Sequence, residues 1–103
     1  MDNPLSKLLN FYKSRNFVQA EKEYLNIAKK VKPNHELLNL YGVILFELKK
    51  YDQAVTQLKK SIEINPNYYQ GYNSLGNIFF KKNDLNAALE AYQKAIDLKF
   101  DYY

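Results

Sequence analysis

The side chains that catalyse reactions or bind metals are scarce in this sequence. It contains one histidine, His35, and no cysteine, so it offers neither a histidine-based metal site nor thiolate chemistry. Paired carboxylates such as Glu21 and Glu23 fall on a predicted helical surface, where solvation is a better reading than acid–base catalysis. The sequence has no glycine-rich phosphate loop. We therefore expect a protein that is not an enzyme and that needs no cofactor and no metal.

Two kinds of side chain that bind other molecules recur 34 residues apart. These are the aromatic residues Tyr12, Phe46 and Phe80, and the amides Asn39 and Asn73, with Asn77 beside the second. Aromatic rings can clamp apolar side chains of a bound segment, and amides can both donate to and accept from an extended peptide backbone. Two simpler readings stay open, in which the rings pack adjacent structural units together and the asparagines are only solvated.

The elements that must position these residues are helices. Apolar residues recur at helical spacing along the chain, and the pattern predicts six helices, at residues 3–14, 17–31, 35–48, 52–64, 69–82 and 85–98. Asn83 and Asp84 suit a tight turn in which Asp84 caps the next helix. Pro33 and Pro66 end helices, because proline disfavours helix in the residue before it. The fold class is therefore all-α.

The chain also matches itself when it is shifted by 34 residues. Gly42 then aligns with Gly76, and Ala54 aligns with Ala88. Glycine inside a helix costs about 1 kcal/mol relative to alanine, so its recurrence indicates that two helices approach closely there. We expect Tyr41 and Leu45 to face the partner helix together with Gly42. The period predicts three stacked helix pairs, at residues 1–34, 35–68 and 69–102.

These residues resemble the tetratricopeptide repeat, whose pattern over about 34 residues is W-x2-L-G-x2-Y, then A-x3-F, then P. The third unit reads Tyr72-x2-Leu75-Gly76-x2-Phe79 and then Ala88-x3-Tyr92, the second is similar, and the first is degenerate. The resemblance implies a right-handed α-solenoid of three helix–turn–helix repeats with six antiparallel helices. It also implies a concave face, lined by the first helix of each pair, that binds other proteins.

A stripe beside the glycine face of each first helix is the candidate partner-binding groove. Its predicted members are Leu9, Tyr12, Asn39, Val43, Phe46, Glu47, Asn73, Asn77, Phe80 and Lys81. Family members that grip the C-terminal carboxylate of heat-shock chaperones use lysine, arginine and asparagine at set places. Those places hold Leu5, Leu9, Leu40, Gln70 and Ser74 here. We expect a neutral or apolar peptide or helix as the partner, and not a chaperone C-terminal carboxylate.

The charges and apolar runs bear on other classes of partner. The net charge is +4, and lysines such as Lys49 and Lys50 fall at turns or on outer faces, which is typical of a solvated surface. A weak basic edge remains the alternative, but we do not expect nucleic-acid binding. The longest apolar run, Val43 to Phe46, is far shorter than the roughly 20 residues of a membrane span. With no signal peptide and no cysteine, we expect no membrane contact and a cytoplasmic location.

The last predicted helix raises an alternative function. A terminal repeat normally presents a polar face, yet this helix carries an apolar patch for self-association at Leu89, Tyr92, Ile96, Leu98 and Phe100. End-to-end stacking or swapping into a homo-oligomer is one reading. The other is that the chain continues, because Asp101-Tyr102-Tyr103 parallels Asn67-Tyr68-Tyr69. In that case the repeats are a fragment of a longer protein and could select the substrate of a larger enzyme.

Overall fold

The computed structural model describes residues 3–100, and the predictions for residues 1, 2 and 101–103 lie outside that range. The described chain consists of six helices and no strand. They are α1 (Pro4–Lys13), α2 (Phe17–Lys30), α3 (His35–Glu47), α4 (Tyr51–Ile64), α5 (Tyr69–Lys81) and α6 (Leu85–Lys99). Each end lies within one residue of its predicted position, so all six predicted helices are confirmed.

Side-chain caps explain where four of these helices begin. Asn3 and Asn34 accept hydrogen bonds from the amides of Ser6 and Leu37, at 2.7 and 2.8 Å. Asn16 caps α2 in the same manner. Asp84 accepts from the amide of Ala87 at 3.3 Å, as the sequence predicts. Each cap satisfies a backbone donor that the first turn of a helix leaves unpaired.

The turn inside each helix pair has the same backbone geometry. Arg15, Lys49 and Asn83 have φ values of 61°, 63° and 64°, which is the left-handed region that only glycine enters without cost. In all three turns the next residue's amide donates to a carbonyl five positions back, for example from Lys50 to Leu45 at 2.8 Å. The degenerate first unit therefore folds as the same helix pair as the other two.

Glycine marks the crossing point within a pair, as the sequence predicts. A Cβ placed on Gly42 would lie 2.6 Å from Cγ of Leu58 on α4, and one on Gly76 would lie 2.6 Å from the ring of Tyr92 on α6. The expectation for Tyr41 is wrong, because its ring stacks on Tyr24 of the preceding pair at 4.0 Å between centroids. Tyr41 packs two repeats together rather than two helices of one repeat.

The pairs stack in chain order to form an α-solenoid. Helix α3 packs on α2, and α5 packs on both α4 and α3. Apolar residues from all three pairs form one core, which includes Leu8, Ile44, Leu58 and Ile78. None of the helices in residues 3–100 is long and apolar enough to cross a membrane. The consequence for the site is that α1, α3 and α5 lie side by side.

Candidate functional site

One cleft lies between α1 and α3. It has a volume of about 440 Å³. Its lining residues are Leu5, Leu9, Tyr12, Asn34, Glu36, Leu37, Asn39, Leu40, Val43 and Tyr68. The structure therefore brings together four of the predicted groove residues, namely Leu9, Tyr12, Asn39 and Val43. Leucine and valine side chains dominate the walls, so the cleft suits an apolar side chain.

A second, smaller cleft lies between α3 and α5 and continues the first. Its volume is about 90 Å³, and it is lined by Gly42, Val43, Phe46, Glu47, Ser74, Asn77 and Ile78. Three further predicted residues, Phe46, Glu47 and Asn77, meet here. Val43 lines both clefts, so the two are neighbours along α3 and together form the surface that we call the joined clefts.

The predicted groove residues on α5 do not all line the same cleft. Asn73 lines a third cleft of about 300 Å³ between α5 and α6, together with Tyr92, Ile96 and Phe100 of the predicted self-association patch. Phe80 and Lys81 are exposed near the end of α5 and line none of the three clefts. Seven of the ten predicted groove residues thus line the two neighbouring clefts along α1, α3 and α5, one lines the cleft at α6, and two line none of the three.

The three aromatic residues of the predicted row differ in their surroundings. Tyr12 packs edge-on against Phe17 with centroids 6.0 Å apart, and Phe46 packs against Tyr51 at 5.7 Å. Both rings also line the clefts, so packing and groove are not exclusive roles for them. Phe80 is 59% exposed, and its ring is the most available of the three to a ligand.

The side-chain amides of Asn39 and Asn77 differ in their hydrogen bonding. Tyr92 donates a hydrogen bond from its hydroxyl to Oδ1 of Asn77 at 2.6 Å, so this acceptor is already used. Oδ1 of Asn39 is buried and has no hydrogen-bond partner among the described residues. An unpaired buried acceptor costs about 1–3 kcal/mol, so a polar group with unfilled hydrogen-bonding capacity lies behind the wall of the first cleft.

The charges around the clefts are few and partly paired. Glu47 forms an ion pair with Arg15 at 3.4 Å across the first two repeats. Burial, followed by the charge of Glu36, raises the pKa of Tyr68, which keeps this hydroxyl neutral at the cleft wall. Among residues 3–100 no group of three or more histidine, cysteine or acidic side chains is placed to hold a metal ion.

One apolar pocket was not predicted from the sequence. It has a volume of about 400 Å³ at the edge of the array, where Asn3, Pro4, Leu5, Ile27, Lys30, Val31 and Leu37 meet. Leu5 and Leu37 also line the first cleft, so the apolar surface continues over the edge. The available signal was the pair Ile27 and Val31, which are four residues apart and place two apolar side chains on one face at the end of α2.

The predicted self-association patch is not a single face. Leu89, Ile96 and Phe100 are 67%, 51% and 55% exposed, whereas Tyr92 is half-buried against Gly76. Leu98 is also half-buried and, at about 100° per residue, lies on the opposite side of α6 from Leu89. Leu85, at 56% exposed, extends the exposed side and was missed because it begins the helix.

Family comparisons agree with this architecture. A model described as "TPR repeat" matches residues 42–82, and one described as "Tetratricopeptide repeat" matches residues 69–102. Together they cover the second and third helix pairs from Gly42 onwards. The first pair is matched by neither model, although its turn and its helix packing repeat those of the other two pairs.

Individual relatives belong to the same group. The chain is 43% identical over 54 residues to small glutamine-rich tetratricopeptide repeat-containing protein 2 of Saccharomyces cerevisiae, which is 52% of this chain and 16% of that protein. It is 35% identical over 66 residues to heat shock protein STI1 of the same yeast, covering 64% and 11%. The chain thus spans only a small part of these relatives.

A solved structure shares the fold. The second tetratricopeptide domain of Spaghetti (RPAP3), solved with the HSP90 peptide SRMEEVD, superposes with a TM-score of 0.81 at 17% identity, covering 89% of this chain and 85% of that one. At this identity the likeness speaks to the fold alone. From the repeat pattern, the three stacked helix pairs and the two model matches, the chain belongs to the tetratricopeptide repeat family.

Proposed function

We propose that this chain is a non-catalytic protein-interaction scaffold that binds a neutral or apolar segment of a partner on its concave face. The observation that carries the proposal is the cleft between α1 and α3, where Leu5, Leu9, Leu40 and Val43 form apolar walls around about 440 Å³. A rigid solenoid presents such a preformed surface without reorganisation, which lowers the cost of binding.

Polar groups in the cleft support an extended segment as the ligand. Apolar side chains would enter between the leucines, while a backbone amide of the segment would donate to Asn39. Its Oδ1 lacks a partner among the described residues and would become reachable when the side chain turns toward the cleft. Neutral amides of this kind pair with a peptide backbone whatever its sequence, so we assign selectivity to the apolar walls.

The peptide bound to the RPAP3 domain offers a chemical contrast to the partner that we propose. The RPAP3 domain was solved with a peptide that carries three carboxylate side chains. In the present chain the places that would hold an acidic C-terminus contain Leu5, Leu9, Leu40, Gln70 and Ser74. None of these side chains is a cation that could pair with a carboxylate. We therefore propose a partner that is chemically distinct from that peptide.

A selection experiment tests the proposal and does not require the natural partner. A random peptide library displayed on phage would be selected against the purified chain, and the enriched peptides measured by fluorescence anisotropy. Val43 lines both joined clefts and is half-buried, so Val43→Glu places a charge at the centre of the surface. Val18→Glu is the matched control, because Val18 is 56% exposed on α2, outside the clefts.

We expect peptides rich in apolar residues that bind the native chain and the Val18→Glu variant equally. Val43→Glu should weaken them at least about tenfold, because a charge would be buried against apolar side chains. Circular dichroism of both variants checks that helicity is retained. Equal binding to Val43→Glu and to the native chain would overturn the proposal.

A further inference from the structure

The outer side of α6 carries four exposed apolar side chains in one line. Leu85, Leu89, Ile96 and Phe100 are 56%, 67%, 51% and 55% exposed. At about 100° per residue, Leu85, Leu89 and Ile96 lie within an arc of roughly 40° on α6, and Phe100, the C-cap residue, follows them at the end of the helix. We call these four residues the α6 stripe. It lies to one side of the buried face of the helix, which is formed by Ala88, Ala91 and Ala95.

The equivalent positions on α4 are partly covered, and at Ile62 the cover is the helix of the next repeat. Thirty-four residues before Leu85, Leu89 and Ile96 stand Tyr51, Val55 and Ile62 of α4, all half-buried. Gly71 of α5 approaches Ile62 so closely that a Cβ there would lie 3.1 Å from Cγ1. This side of the second helix in a repeat is therefore shaped to receive a helix.

Helix α1 of a second copy is not suited to cover the α6 stripe in this way. The α5 residues that face the preceding repeat are Gly71, Ser74 and Ile78, and their equivalents on α3 are Leu37, Leu40 and Ile44. The equivalents on α1 are Asn3, Ser6 and Asn10, all polar and exposed. Head-to-tail stacking would bury these polar groups against leucine and phenylalanine, which is unfavourable without hydrogen bonds.

The α6 stripe is instead complementary to itself. The spacing of its members is four, seven and four residues, which reads the same in both directions. When two copies of α6 lie antiparallel, Leu85 meets Phe100 of the second copy and Leu89 meets Ile96. The two-fold axis then passes between Tyr92 and Gln93, so Gln93 lies within one residue of its own counterpart. The exposed charges of the helix are two acidic, Glu90 and Asp97, and two basic, Lys94 and Lys99, so the surface has no net charge to repel a copy.

We propose that the chain forms a two-fold symmetric dimer through antiparallel packing of the α6 stripe against the stripe of a second copy. Such an isologous contact closes on itself and stops at two copies. Four side chains per copy make a small interface, and interfaces below about 1,200 Å² belong to weak and transient complexes. We therefore expect a dimer that dissociates on dilution. The proposal is independent of peptide binding between α1 and α3.

Sedimentation velocity from micromolar to millimolar concentration tests the dimer. The mass should rise from 12.2 kDa toward twice that value and no further. Leu89→Glu and Ile96→Glu should remain monomeric throughout, whereas Val18→Glu, equally exposed on α2, should dimerise like the native chain. A mass that stays at the monomer value, or that grows beyond the dimer, would overturn the proposal.

Because the sequence has no cysteine, a single introduced thiol reports the symmetry directly. Q93C should form a disulfide-linked dimer under mild oxidation, since residue 93 lies next to the two-fold axis, close to its own counterpart, and disulfides need Cα atoms within about 7 Å. Q53C, an equally exposed position on α4, is the matched control and should crosslink far more slowly. Equal crosslinking of the two variants would contradict the antiparallel arrangement even if a dimer formed.

Discussion

Gly76 lies directly against the ring of Tyr92, so that a Cβ on the glycine would be 2.6 Å from two ring carbons. One repeat earlier, Gly42 stands in the same relationship to Leu58, with Cγ at 2.6 Å. Carbon atoms in contact prefer about 3.5–4.0 Å. Neither position can accept a methyl group unless its partner moves, so the closeness of the two helices depends on glycine.

Gly42→Ala should therefore destabilise the chain although alanine favours helix. Overpacking costs about 1–3 kcal/mol, and the gain in helix propensity is about 1 kcal/mol. Leu58 is fully buried, whereas Tyr92 is only half-buried and can turn aside, so we expect a larger loss at Gly42 than at Gly76.

Urea unfolding measures the free energy of unfolding of both variants. Gly71→Ala, where the Cβ would meet Cγ1 of Ile62 at 3.1 Å and so overlaps less, should change least. A neutral Gly42→Ala would refute the packing account.

The turn at Lys49 should gain stability from glycine. Its φ of 63° costs a residue with a Cβ about 1–2 kcal/mol, while glycine loses about 0.5–1 kcal/mol in chain entropy. Lys49→Gly should therefore raise the free energy of unfolding by about 0.5–1 kcal/mol. Lys50→Gly is the control, because Lys50 has φ of −92° and an ion pair with Glu21, and it should lose stability. If the free energy of unfolding changes with the same sign in both variants, the explanation from backbone strain at Lys49 is contradicted.

The raised pKa of Tyr41 predicts how the free energy of unfolding changes at alkaline pH. Burial first, and then the carboxylate of Glu21, which accepts a hydrogen bond from the Tyr41 hydroxyl at 3.1 Å, raise the pKa of Tyr41 to about 12. In the unfolded chain a tyrosine has a pKa of about 10. Below pH 10 both states keep the proton, and between pH 10 and 12 only the folded state does. Stability should therefore fall as pH rises through this window, by up to about 1.4 kcal/mol per pH unit for one proton.

Urea unfolding across that window checks the slope against two variants. Tyr41→Phe keeps the ring on Tyr24 but has no proton to lose, so its stability should fall less steeply. Glu21→Gln should lower the pKa of Tyr41 only in part, because burial, the largest single cause, remains. An unchanged slope in Tyr41→Phe would show that other tyrosines, such as Tyr24 and Tyr68, dominate the effect.

The sequence was a good guide to the helices and to the glycine crossings. Helix ends and the glycine crossings follow from local spacing and from the 34-residue period, and the structure agrees with them. Tyr41 was misplaced because its contact with Tyr24 depends on how one repeat is rotated onto the last, which no single helix encodes. The left-handed backbone at Arg15 and Lys49 could not be predicted from the sequence, because neither residue is glycine. Likewise the division of the predicted groove into clefts depends on the angles between helices.

The character of the ligand gives a prediction with a known probe. The peptide SRMEEVD, which the RPAP3 domain was solved with, should bind this chain far more weakly than an apolar peptide selected from a library. The reason is that Gln70 and Ser74 offer no cation where an acidic C-terminus would lie. Isothermal titration calorimetry with both peptides measures the difference. Q70K combined with S74R should increase the affinity for SRMEEVD, and tight binding by the native chain would refute the assignment.

The central claim is that the joined clefts along α1, α3 and α5 bind the partner segment. The most direct test is a nuclear magnetic resonance titration of the isotope-labelled chain with a library-selected peptide. We predict that amide shifts concentrate at Leu9, Asn39, Val43 and Asn77, with the outer faces of α2 and α4 unaffected. Shifts that cluster on α6 or on those outer faces, and leave these four residues unchanged, would contradict it.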